Sequence, residues 1–104
     1  MIKEIVYIGR DNSIDLQLIS DGVAVDLAGV TKMHLKAADG AFLVDSAVTP
    51  QCFDWTAGDG TVIISLGDQD IPPLSYTCYL IVFDVVNTDG VVWDTVKITF
   101  KSID

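Results

Sequence analysis

Apolar and polar residues alternate along most of this chain with a period of two. Ser13 to Ser20 sets Ile14, Leu16 and Leu18 on one side and Ser13, Asp15 and Gln17 on the other, the pattern of a strand with one buried face. Val30 to Ala37 repeats it, with Met33 and Leu35 inward and Lys32, His34 and Lys36 outward. Thr61 to Leu66 does so again, with Val62, Ile64 and Leu66 inward. Shorter extended pieces are expected over Ile2–Gly9, Val23–Leu27, Phe42–Val44, Ala47–Thr49 and Phe53–Thr56. Pro50 stops the fourth, because proline cannot donate to a central ladder, and the fifth is expected near an edge. No window carries apolar residues at helical spacing, so helix should be little or absent. At most one short helical turn is expected, in the crossover loop 67–73. About eight short strands with regular turn signals predict one domain over 1–104, an all-β sandwich of immunoglobulin-like antiparallel type.

The last quarter, Ser75 to Phe100, breaks the half-buried pattern. Its first run is apolar on both sides, with Tyr76, Cys78, Leu80 and Val82 on one and Tyr79, Ile81, Phe83 and Val85 on the other. Asn87-Thr88-Asp89-Gly90 then turns the chain into a second run, as a hairpin signal should. Val91 and Trp93 are expected beside Tyr79, Ile81 and Phe83. Val92, Val96, Ile98 and Phe100 are expected beside Leu80 and Val82, with a change of phase at a bulge near Asp94. Such a strand needs cover on both faces. An external Tyr79/Ile81/Phe83/Trp93 face would exceed the apolar patch of an ordinary monomer. Burying ~400 Å² of it would contribute about 10 kcal/mol gross before association costs. A homo-oligomer, trimer or higher, is the expectation; the alternative is that segment 45–60 folds over the patch. Trp55 reads either as edge-strand filler or as an interface anchor.

Asp-Gly recurs at 21–22, 39–40, 59–60 and 89–90, which reads as turn chemistry because the flanking strands do not match each other. Fifteen acidic against six basic residues give a net charge of −9. That excess disfavours nucleic acid, whose binding needs cations to displace counterions, and disfavours an anionic membrane surface. Met1-Ile2-Lys3-Glu4 leads straight into a strand-like run, so no signal peptide is expected, and no apolar run reaches the ~20 residues of a span. The two cysteines are too few for a disulfide scaffold. Cys78 falls on a buried face and Cys52 near a loop; a bridge between them stays open.

A resemblance joins these residues. Asp11-x-x-x-Asp15-Leu16 precedes Gly22-Val-Ala-Val-Asp26-Leu27-Ala-Gly29, and Asp39-Gly40 follows. Then come Gly60-Thr-Val-x-Ile-x-Leu, Ile71-Pro-Pro-Leu-Ser-Tyr76, Asp84 and Asp89-Gly90-Val91. The order resembles the immunoglobulin-like β-sandwich modules of tailed-phage virion proteins, such as baseplate upper protein N-terminal domains and related tail and head-surface modules. It spans residues 10 to 100, with Ser75 where the family usually has glycine. The resemblance implies a virion structural or assembly module, made in the cytoplasm of a bacterial host, whose partners are other virion proteins and its own copies.

Catalytic signatures are thin. His34 is the one histidine; with no nucleophile motif nearby it makes no triad, and zinc would need further ligands. No glycine-rich phosphate loop occurs. Asp11, Ser13 and Asp15 are weak calcium candidates, and Asp68 with Asp70 offers two more carboxylates. A pair such as Asp54 with Asp59 would in principle serve the acid–base work of a glycosidase, yet nothing marks those two above the other acids. The expectation is a non-enzyme without cofactor. The competing reading is a carbohydrate- or receptor-binding sandwich using Trp55 and Trp93 as a platform.

Overall fold

The computed structural model describes residues 2–55, 58, 60–69 and 71–102. Ten strands form among these residues: β1 Ile2–Tyr7, β2 Ser13–Gln17, β3 Ile19–Ser20, β4 Val23–Ala24, β5 Val30–Ala37, β6 Leu43–Asp45, β7 Phe53–Trp55, β8 Thr61–Ser65, β9 Ser75–Asp84 and β10 Val91–Lys101. One sheet has the order β1-β10-β9-β5-β6 and the facing sheet β2-β8-β7, while β3 and β4 form a small ribbon. The protein is an all-β sandwich. Strands β5, β9 and β10 occupy the C, F and G places of the immunoglobulin-like arrangement, and β2, β8 and β7 the B, E and D places. One pair departs from the antiparallel expectation: β1 runs parallel to β10, Val6 beside Phe100.

The alternating positions become the core. Ile14, Leu16, Val62 and Ile64 from one sheet meet Met33, Leu35, Cys78, Leu80, Val96 and Ile98 from the other. All four Asp-Gly glycines have φ between +70° and +87°, the region that tight turns demand. Asp21 joins Gly22 there, at φ +52°, so both central residues of the β3–β4 hairpin take the type I′ geometry.

Several boundaries move for local reasons. β1 stops at Tyr7 and not Gly9: Ile8 N still donates to Lys101 O (2.9 Å), but the chain then turns at Gly9 (φ +78°), and the Asn12 side chain binds Tyr7 on the free edge of the strand. Tyr7 N donates to Asn12 Oδ1 (2.9 Å) and Asn12 Nδ2 donates to Tyr7 O (3.0 Å). Ala47–Thr49 is a turn and not an extended piece, with Val48 N and Thr49 N both donating to Asp45 O (3.0 and 2.8 Å). The helical turn falls at Pro50–Cys52 and not in the crossover loop; proline's fixed φ suits the first helical position. β7 lies at the edge of its sheet as expected, and Thr56 lies outside the described residues.

Tyr76 anchors the crossover. It is buried, its hydroxyl donates to Pro72 O (3.2 Å), and it sits two residues before the buried Cys78. This is the tyrosine corner of immunoglobulin-like sandwiches. Its ring packs edge-on against Phe42 and Phe100, at centroid distances of 5.1 and 5.7 Å. Both cysteines are free and buried.

Candidate interaction surface

The outward face of the five-stranded sheet follows from register. Partners across a ladder share a face. Tyr79 lies between Lys36 and Thr95, Ile81 between His34 and Val92, and Phe83 beside Lys32. Beyond β10, Lys97 pairs with Lys3, Thr99 with Ile5 and Lys101 with Tyr7. At the other edge Asp45 pairs with His34 and Leu43 with Lys36.

The centre of this face is covered by its own chain. Phe83 is only 9% exposed. The His34 ring lies 4.5 Å from its centroid, the Lys32 ammonium stands 4.7 Å over it, and the Thr31 hydroxyl donates to its carbonyl. Gly90 closes the lid: a Cβ there would meet Ile81 Cγ2 at 2.5 Å and Phe83 Cε2 at 2.8 Å, so only glycine brings the turn this close. The turn is held by Asp84, whose carboxylate accepts from Val86 N (2.9 Å) and Asn87 N (2.6 Å). The Asn87 backbone and side-chain donors, then Val86, hold the Asp84 carboxyl below its ordinary value. The cover comes from Lys32, His34 and the 87–90 turn, with Asp45 against His34, while the described residues 50–55 run to the opposite sheet at β7.

One aromatic placement differs from expectation, that of Trp93, while Trp55 takes the edge-strand filler position, one of its two readings. The bulge near Asp94 exists, with a register shift between Val92 and Asp94. It turns Trp93 toward the core, where it is half-buried against the interior cluster. Val91 pairs with inward-facing Val82, and Val92 pairs with Ile81 on the outer face, reversing their expected sides. Val92 is 56% exposed and is no core partner of Leu80. Trp55, opposite the buried Val62, also leans on the core. The open apolar surface therefore lies on the flanks, at Ile5, Tyr7, Leu43 and Val92, while Tyr79 and Ile81 are half-buried.

His34 keeps its expected face but is no free surface group. Its side chain is 16% exposed and Nε2 lies 3.0 Å from Asp45 Oδ2. No aligned hydrogen bond reaches that nitrogen among the described residues. The Asp45 carboxyl is held below its ordinary value, first by the Ala47 N–H at 2.8 Å and then by His34. Asp94 is pushed the other way: burial beside the bulge raises its pKa.

Of the calcium candidates, Asp11 and Ser13 line one cavity with Asp68, while Asp15 stands beside Ile63 in the outward row of the opposite sheet. Ser13 and Asp15 point outward from β2 and Asp11 is exposed in the loop before it. Among the described residues no three His, Cys, Asp or Glu side chains are placed to hold a metal. Asp54 is exposed on β7; its supposed partner Asp59, like Asp70, lies outside the described residues. No family model matches the sequence, and no curated protein matches it.

The lysines carry a signal that sequence inspection missed. All five in the chain, Lys3, Lys32, Lys36, Lys97 and Lys101, occupy outward positions of this one sheet. Asp45 is the sole carboxylate at an outward ladder position there.

Proposed function

We propose that the chain is a phage or prophage virion assembly module that docks on other virion proteins and on its own copies through the outer face of its five-stranded sheet. The observation that supports this most is the make-up of that face. Exposed Ile5, Tyr7, Leu43 and Val92 are interspersed with lysines around half-buried Tyr79 and Ile81. Apolar surface rimmed by charge marks a protein-binding site. The turn order that resembles tailed-phage modules supplies the biological setting, a particle assembled in the host cytoplasm. The carbohydrate-platform reading fits less well, since Trp55 and Trp93 both lean against the core.

The test uses Leu43→Asp with Val92→Asp, two exposed positions whose loss leaves the interior intact. Light scattering should show the wild type as a concentration-dependent oligomer and the double variant as a monomer, with unchanged circular dichroism. A wild type that stays monomeric at every concentration would remove self-association from the reading.

A further inference from the structure

Charge is divided between the two outer faces of the sandwich. The outward ladder positions of the five-stranded sheet hold five lysines against one carboxylate, Asp45, inside a chain of net −9; Glu4 lines one cavity with Lys3 and Lys97, and Asp89 lies in the turn beside Phe83. The remaining fourteen acidic residues are left with one arginine. Among the described residues no lysine comes within ion-pair distance of a carboxylate, though Lys32 acts on Asp45 through space; the one close contact of this kind is His34 with Asp45. Lys3 and Lys97 are even direct neighbours in the β1–β10 ladder, an arrangement that costs stability in an isolated sheet.

The opposite face is its complement. Asp15 on β2 and Asp54 on β7 flank the half-buried Ile63 of β8 in one cross-strand row. Ser13, Gln17, Thr61 and Ser65 fill the other outward positions, and no lysine occurs. One face sets cations among exposed apolar flanks, and the other sets two anions beside one half-buried apolar residue.

We infer that the lysine face of one molecule binds the Asp15–Ile63–Asp54 face of a second copy. This rests on the self-association reading and names its geometry. Such a contact is heterologous: each molecule keeps one free face of each kind, so copies add head to tail into a ring or a filament. Its salt dependence has a maximum. At about 0.01 M salt the Debye length is ~30 Å and the net −9 charges repel. Near 0.1–0.15 M it is ~8–10 Å, which screens the long-range repulsion but spares pairs in contact. At 1 M, ~3 Å, the pairs are screened too.

The experiment compares two variants that each neutralise one face. Lys3→Gln/Lys97→Gln/Lys101→Gln removes cations, and Asp15→Asn/Asp54→Asn removes anions. Sedimentation velocity should show each alone associating at least ~10-fold more weakly than wild type, while an equimolar mixture forms 1:1 dimers that grow no further. The lysine variant should keep the wild-type circular dichroism, showing that its weaker association is not a failure to fold. Assembly that survives both sets of changes but is lost in Leu43→Asp/Val92→Asp would overturn the head-to-tail geometry and leave the self-association reading standing, as would association that only rises with salt. A wild type monomeric at all salt concentrations would overturn both.

Discussion

At the scale of single residues, Asp94 shows how one inserted residue redistributes side chains. The bulge faces Asp94 toward Leu80, and burial raises its pKa above 3.8. A raised carboxyl favours the protonated fold. That contribution is complete below 3.8 and is lost as pH rises through the folded value, so the ionised group weakens the fold at neutral pH. Asp94→Asn should therefore raise the melting temperature at pH 7, with the gain vanishing below pH 3.8. Calorimetry across that range checks it. The bulge was legible in the sequence as a conflict of phase, but which side chain would pay no regard to the alternation was not. Trp93 went inward because a large ring finds more contact against the core than over the crowded Ile81/Gly90 lid.

At the scale of elements, β9 carries the instructive mismatch. Its two apolar faces implied cover on both sides, and cover exists, but the lid is made of Lys32, His34 and a glycine turn. Lysine stems and imidazole rings bury apolar surface while reading as polar in a sequence. The expected central patch shrinks accordingly. At the start of the same strand, the Tyr76 hydroxyl pins the crossover to Pro72 O. Tyr76→Phe keeps the ring cluster and deletes that bond, leaving a carbonyl short of a partner. The expected loss is about 1 kcal/mol, seen as a melting temperature lower by about 5 °C.

At the scale of the whole molecule, the sheets are held by packing with no covalent tie. Cys52 and Cys78 are buried and free, and burial first, with Asp39 nearby, pushes the Cys78 thiol up to about 12. Thiolate is the reactive form. At pH 8 a thiol reagent should label neither cysteine until denaturant is added, and dithiothreitol should leave the melting temperature unchanged. Early labelling of Cys78 would contradict the core described here.

The sequence by itself determined most of the strands, the inward residues of β2, β5, β8 and β9, and the Asp-Gly turns. Those features are local: side chains alternate every two residues, and positive φ selects Asp-Gly. Tertiary structure alone decided that β1 joins β10 in parallel, that the bulge sends Trp93 inward, and that five lysines scattered from Lys3 to Lys101 share one face. Each of these depends on which strands become neighbours, and pairing between distant segments leaves no mark in the residues of either one.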